Sequence, residues 1–566
     1  MDTYMPEKNY QPFLESLDEL GFCSFQLFED SDIAALKALY GKYFSNKDIN
    51  GLYASHNSNP VETSKTINNS IRAVVSDRLK AVFPDFEYFI GHFMVKGART
   101  QNEFALHQDW NIVDESKYKS YQIWAPLQLT YPDNGGLFVV PGSQKFLNNF
   151  RSGSYNIPRI NFDDKVEQTI TDIIVAPGQV VCYYNSLMHG SYINQTNEDR
   201  VVVLMNVVQK TAPVYYFNKN EREKLTDLYT LTAEKLIENL PALEKGLLPE
   251  EMVADAQTAF YEKNNAEVNS TYVLNAYKEK FGNKSARQLK QLHIAKPELE
   301  NELNEKGFAV IDFLTPTDVE IFRKEYNKHF AQIDRTPGRF TTLQHTDSIT
   351  KNHIHNFIVE NTAKPLAPYF KDYAIPVSQF YTKKAYTSGD IDIHADSTLL
   401  LNHQLEPHYG IWVPLHDVDE NNGTFCVIPY SHKLSHALFT ASYGGYHAEH
   451  REWLRQFELP VKLKAGQAIV FDNNLLHNST ANKTDTDRVV FTFRITHRCS
   501  QYYSFLCPDA DNSDAIEVSE EKHSYYMDES WDGNAKHITG KWVGTLQNGA
   551  TRVTQAELEE VLNLTY

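Results

Sequence analysis

The 566-residue chain is too long for one ordinary domain, and 42% hydrophobic with 22% charged residues is the composition of a globular protein. A net charge of −19 excludes nucleic acid and anionic membrane as default partners, because an acidic surface repels both. Five scattered cysteines without a CxxC pair, no basic leader at the N-terminus and no long apolar run predict reduced thiols, a cytoplasmic location and no membrane span.

In chain order, the first clear element is an amphipathic helix, SDIAALKALYGKYF (31–44), with Ser31 as its cap. Strand candidates follow between turn signals: YQIWAPLQLTY (121–131), GLFVVP (136–141), QVVCYY (179–184) and RVVVLMNVV (200–208). Residues 213–304 are charged and helical in period, as in PEEMVADAQTAFYEK (249–263). A second series opens with TPTDVEIFRKEYNKHF (315–330), capped by Thr315 or Thr317. It continues through GIWVPLHDV (410–418), GTFCVIP (423–429), QAIVFD (467–472) and RVVFTFRI (488–495). The tail has no clear period until TQAELEEVLNL (554–564). Many short strands separated by turns predict sandwiches or barrels, the jelly roll among them.

The two series are copies. Gly21-Phe22 matches Gly307-Phe308, VVPGSQK (139–145) matches VIPYSHK (427–433), and PGQVVCYYNSLMHG (177–190) matches AGQAIVFDNNLLHN (465–478), at offsets of 286 to 288. The expected domains are 1–212 and 305–500, with 213–304 a helical extension and connection and 501–566 a C-terminal extension.

Each copy contains His-x-Asp, in FALHQDWN (104–111) and IDIHADST (391–398). On a strand, residues two apart share a face, so His107 with Asp109, and His394 with Asp396, point into one cavity. His189 follows His107 by 82 positions and His477 follows His394 by 83. Two histidines and a carboxylate with open positions form the facial triad of non-haem Fe(II) oxygenases. Arg200 and Arg488 each stand eleven positions past the distal histidine, on the far side of a predicted hairpin. There a guanidinium can grip the distal carboxylate of a dicarboxylate co-substrate whose other end chelates the metal. Lys96, eleven residues before His107, can reach an acidic group. Near the triads we place Trp110, Ser397, Trp124 and Trp412 as substrate-contact candidates; for both Trp124 and Trp412 core packing is the plainer reading.

The stretches 146–170 and 434–458 are candidate lids, with Arg151, Arg159, His447, His450 and Arg451 as contacts unless they are simply solvated. His403, His408, His416, His432 and His436 read as surface or loop histidines, and His345-Thr346-Asp347 as a stray surface match.

With His-x-Asp, Pro141-Gly142-Ser143 or Pro429-Tyr430-Ser431, the PGQ or AGQ strand into the distal histidine, and the arginine eleven beyond, each half resembles the phytanoyl-CoA dioxygenase-like group of Fe(II)/2-oxoglutarate-dependent oxygenases. The resemblance covers roughly residues 15–210 and 300–500. It implies a mostly β fold with flanking helices, two double-stranded β-helix (jelly-roll, cupin-like) domains in tandem. It also implies Fe(II) on the three side chains, 2-oxoglutarate with its C5 carboxylate on Arg200 or Arg488, dioxygen as oxidant, and succinate and CO2 as co-products. The aspartates favour hydroxylation of an unactivated C–H bond over halogenation, on a small molecule, amino acid or peptide. Val202 and Val490 depart from the family, which often carries Ser or Thr there. Three other readings compete: one copy degenerate and substrate-binding, a bicupin metalloenzyme without 2-oxoglutarate, or a non-enzymatic metal binder.

Overall fold

A computed structural model describes residues 11–563 apart from breaks, the longest being 260–267, 283–293, 439–449 and 529–539. The chain divides into two compact units, Met1–Leu289 and Lys290–Tyr566.

In the first unit a six-stranded antiparallel sheet runs Phe22–Gln26, Gln179–Tyr184, Ser120–Pro126, Arg200–Gln209, Phe86–Lys96, Leu52–Ala54. A four-stranded sheet runs Phe104–His107, His189–Ser191, Leu137–Val139, Thr171–Ile173. The central strand Arg200–Gln209 is almost wholly buried, which is why its sequence is a continuous apolar run rather than an alternating one. Val201, Val203, Met205 and Val207 turn outward and pack with Phe93 and Val95 under the helices Asp30–Phe44 and Val61–Val82, which contribute Leu36, Ile67, Ile71 and Val75. The opposite face, carrying Arg200, His92, Met94, Lys96 and Tyr183 by the two-residue period, turns to the small sheet; the Tyr183 ring lies 4.7 Å from that of His189. The site therefore lies between the two sheets of a jelly roll.

The second unit repeats this plan. Its large sheet runs Phe308–Asp312, Gln467–Asp472, Tyr409–Pro414, Arg488–His497, Tyr373–Lys383, Arg339–Thr341, and its small sheet Ile391–His394, His477–Ser479, Phe425–Val427, Leu459–Pro460. Phe322, Ile354 and Ile358 cover the outer face against Phe380, Phe491 and Phe493.

The flanking segment 213–304 holds helices, Ala233–Leu243 and Ser270–Phe281 among them, and strands as well. Residues 213–304 hold a three-stranded sheet, Tyr215–Asn220, Leu225–Thr230 and Ala256–Ala259, followed by the helix Ser270–Phe281. Residues 501–566 hold the same series: Tyr502–Leu506, Ala515–Glu521, Lys541–Gln547, then the helix Gln555–Asn563. In each unit the last of these helices packs behind the ligand strand, Val273 and Tyr277 with Leu106 and Phe138, Leu558 and Leu562 with Ile393 and Ala395. The duplication thus extends to both extensions, and Tyr215-Tyr216 and Tyr502-Tyr503, 287 positions apart, mark it in the sequence.

Candidate active sites

The ligand strands Phe104–His107 and Ile391–His394 each pair with the strand of the distal histidine, His107 opposite His189 and His394 opposite His477. A register break precedes the histidine in both copies. His107 Nε2 lies 3.8 Å from Asp109 Oδ1, and His189 Nε2 lies 3.7 Å from Asp109 Oδ2. His477 Nε2 lies 4.0 Å from Asp396 Oδ1. Within each triad, one ligand atom from every residue falls within 4.8 Å of the others.

The four histidines share one device. Nδ1 of His107, His189, His394 and His477 sits 2.8 to 2.9 Å from the carbonyl two residues earlier, of Ala105, Leu187, Asp392 and Leu475. A carbonyl only accepts, so Nδ1 carries the proton and Nε2 keeps its lone pair toward the triad. Burial, then the neighbouring imidazole His189, holds His107 well below its ordinary value; burial and His394 push His477 down to about 3. Asp109 Oδ2 is buried without a partner. Three electron-pair donors converging on one point, with an orphaned carboxylate oxygen among them, fit a divalent metal.

Arg200 and Arg488 are 1% exposed, and Nε and Nη1 of both are buried with no hydrogen-bond partner. Burial pulls each guanidinium down to about 10. Each lies over a tryptophan of the neighbouring strand in its own sheet, Arg200 5.6 Å from Trp124 and Arg488 5.3 Å from Trp412, with Tyr381 also 5.3 Å from Arg488. A buried planar cation with unpaired donors on its edges fits a carboxylate partner, which each donor can grip together with Nη2.

Lys96 does not stand ready for an acidic group, contrary to expectation. It pairs in register with Arg200, and its ammonium donates to the Ser191 carbonyl (3.1 Å), the Ser191 hydroxyl (2.8 Å) and the Tyr192 carbonyl. Three acceptors use its three donors. Lys383, which we did not single out in the sequence, does the same in the second unit with Ser479 and Thr480. Each lysine therefore ties the large sheet to the strand that bears the distal histidine. The 287-residue offset from Lys96 was the signal for it.

Other positioning residues also recur. The Ser143 hydroxyl accepts from Met188 N at 2.8 Å and that of Ser431 from Leu476 N at 2.9 Å, fixing the turn before each distal histidine. Gly142 and Tyr430 both take left-handed backbone there, φ 73° and 71°. Asn194 and Asn482 close the hairpins between histidine and arginine, donating to the carbonyls of Lys96 and Lys383 and accepting from Thr196 and Thr484. Arg151 is buried rather than solvated: it donates to the Asp109 carbonyl at 2.7 Å and to both Glu115 oxygens. With the Leu106–Ile160 bridge it makes 146–170 a clasp on the ligand strand. Arg159 is exposed over Phe104, and Arg451 pairs with Asp392. His436 and His447 and the middle of the second loop lie outside the described residues.

The copies differ around their triads. The Tyr183 hydroxyl is 3.5 Å from His189 Nε2, where the second unit has Phe471. Arg494 Nη2 is 3.2 Å from Asp396 Oδ1, where the first unit has Asn206. Burial raises the Asp396 carboxyl, but the Arg494 charge and the two histidines outweigh it and leave it below the ordinary value. In the first unit His56 and His92 stack edge to face, 3.8 Å between centroids. Ser397 and Trp412 line the second cavity, whereas Trp110 packs on Tyr216. His403, His408 and His432, read as surface residues, are buried; His416 is half-buried and His450 partly so. Asp347 of the stray motif caps the helix Ser348–Leu366. A further cluster, Glu325 with His329 (3.0 Å) and His353 (2.6 Å), knots two helices of the second unit on their outer side.

The profile of the phytanoyl-CoA dioxygenase family matches residues 38–202 and again 303–490, more than half of the chain. The chain belongs to that dioxygenase family. A phytanoyl-CoA dioxygenase domain-containing protein 1 of Danio rerio is 26% identical over 156 residues, 26% of this chain and 53% of the relative. A phytanoyl-CoA dioxygenase 1 of Oryza sativa is 26% identical over 132 residues, 22% and 46% of the two chains. This family member thus spans about half the length of the curated relatives it matches. Among solved structures, EvdO2 of Micromonospora carbonacea complexed with 2-oxoglutarate is 13% identical with a TM-score of 0.27, covering 36% of this chain and 91% of that one. The epimerase SnoN in complex with Fe3+ and alpha ketoglutarate is 12% identical with a TM-score of 0.29, covering 36% and 85%. Among the described residues, no helix is long and apolar enough to cross a membrane.

Proposed function

We propose that the chain is an Fe(II)- and 2-oxoglutarate-dependent oxygenase with two active centres, which hydroxylates an unactivated C–H bond of a small molecule, amino acid or peptide. The observation that carries this reading is the pair of buried arginines with two idle donors each, set beside a two-histidine, one-carboxylate triad in both units. His107, Asp109 and His189, and His394, Asp396 and His477, hold the metal. Arg200 and Arg488 hold the C5 carboxylate of 2-oxoglutarate, with Trp124 and Trp412 flattening the guanidinium against one orientation. When bound, iron would activate dioxygen, the oxidant, with 2-oxoglutarate supplying two electrons and leaving as succinate and CO2.

The protein's part is placement. The backbone-tethered Nδ1 protons keep each Nε2 free for the metal. The buried arginine sets how far the chelating end of the co-substrate reaches. Apolar neighbours such as Phe425 and Phe471, packed on His477, keep bulk water from its ring. The buried thiols of Cys23, Cys182 and Cys426, which form no disulfide, support a cytosolic setting in this reading.

Succinate formation should require Fe(II), 2-oxoglutarate and dioxygen. His107→Ala and His394→Ala should each remove one centre's share and the double variant all of it. Succinate formation that survives the double variant refutes the assignment.

A further inference from the structure

We propose that the second centre takes a substrate bearing an acid group, a carboxylate or a phosphate, which Arg494 grips beside the metal. This rests on the oxygenase reading above. The cavity in front of His394, Asp396 and His477 measures about 300 Å3. Among the described residues three guanidiniums line it, those of Arg339, Arg488 and Arg494, and Asp396 is the one lining carboxylate. Iron(II) and the 2-oxoglutarate dianion cancel each other's charge. The loaded cavity therefore keeps two more positive charges than negative ones, and a cleft lined by one sign of charge concentrates anions.

The three arginines divide the work by position. Arg488 holds its two idle donors where the co-substrate carboxylate goes. Arg494 uses one nitrogen on Asp396 (3.2 Å) and one on the Ser397 carbonyl (3.0 Å), and its side chain stays 17% exposed on a strand face that looks into the cavity. A guanidinium has five donors, so a second anion can join it. Because Arg494 is anchored to a metal ligand, an acid group bound there sets the neighbouring carbons next to the reacting position. Arg339 is exposed at the rim and adds field more than grip.

The first unit lacks this arrangement. Leu52 pairs with Lys96 as Arg339 pairs with Lys383, so Leu52 stands in place of Arg339. Asn206 follows Arg200 by six residues as Arg494 follows Arg488. The same count puts His56 and His92 where the second cavity has Leu343 and Gln379. The two centres therefore take different substrates, and the charge that reads an acid group belongs to the second.

The test uses the full chain with His107→Ala, so that the second centre alone reports. It is loaded anaerobically with Fe(II) and 2-oxoglutarate, and the visible charge-transfer band of that chelate is followed while propionate, inorganic phosphate or neutral propionamide is added. One of the two anions should perturb the band, propionate marking a carboxylic acid and phosphate a phosphate ester. Propionamide should not. Arg494→Asn should weaken the anion at least tenfold, and Arg494→Lys should keep part of the affinity. An Arg494 that merely neutralises Asp396 would alter the band itself but not the preference for acid over amide. The proposal is overturned if neither anion acts, if propionamide acts equally, or if both Arg494 variants form the band and bind the anion unchanged. Absence of the band before any probe is added refutes the 2-oxoglutarate reading itself, and the proposal falls with it.

Discussion

Replacing Arg488 with methionine should make the metal-free protein more stable while nearly abolishing co-substrate binding. The buried guanidinium leaves two donors without partners, and each such group costs about 1–3 kcal/mol. The rings of Trp412 and Tyr381, both 5.3 Å away, return about 0.5–2 kcal/mol through cation–π attraction. Methionine fills most of the volume and needs no partner. The balance is a gain of about 2 kcal/mol, or about 5 °C in the melting temperature of the second unit. With 2-oxoglutarate the sign reverses, because loss of two charge-assisted hydrogen bonds costs about 3 kcal/mol, roughly a hundredfold in Kd. Calorimetry of the metal-free chain and an anaerobic 2-oxoglutarate titration of the His107→Ala background give the two numbers. A methionine variant that melts several degrees lower than its parent and binds 2-oxoglutarate normally would show that Arg488 is a structural cation, and the reasoning fails.

Three further outcomes follow from features of the separate copies. Gly142→Ala should cost about 2 kcal/mol in chemical denaturation, because its φ is 73° and a Cβ would meet Lys280 and Phe281 within 2.7 Å. Tyr430→Gly should change stability by less than about 1 kcal/mol, since the second copy already accommodates a side chain at that φ. At Glu325 burial raises the carboxyl, but the hydrogen bond from His353 and the charges of Lys328 and the histidines outweigh it, so the folded-state value lies below the ordinary one. A depressed carboxyl contributes stability above its unfolded value of about 4.5 and loses it as pH falls through the lower folded value. Glu325→Gln should therefore lower the melting temperature near neutral pH and flatten its fall on the acid side; identical acid limbs in the two proteins would refute the assignment.

Repetition is what made the site legible. His107, Asp109, His189 and Arg200 are ordinary residues singly, and become a pattern because the second copy repeats them at nearly constant offset. The same method found likeness and, of the differences, only Trp110 against Ser397. Arg494 against Asn206, and Gln379 against His92, break the match and so were not found by it, yet Arg494 and Gln379 line the second cavity. Lys96 was located but misread, because its role depends on the register that sets Lys96 beside Arg200 and over Ser191. Charged runs in 213–304 hid strands: Leu225–Thr230 alternates only weakly between buried and exposed, so helical period and strand period could not be separated there. His403 and His408 lie in a polar stretch that reads as surface and are buried, since burial of a loop is set by what packs over it.

The tether on each imidazole comes from the main chain of its own segment, two residues upstream. No side-chain replacement can delete a carbonyl. The lining of either cavity is thus free to be rebuilt residue by residue, by mutation or by design, while the tautomer that presents Nε2 survives each step. A duplicated gene built this way has a low threshold for diverging in substrate, because the groups that choose the substrate and those that ready the histidines are different parts of the chain.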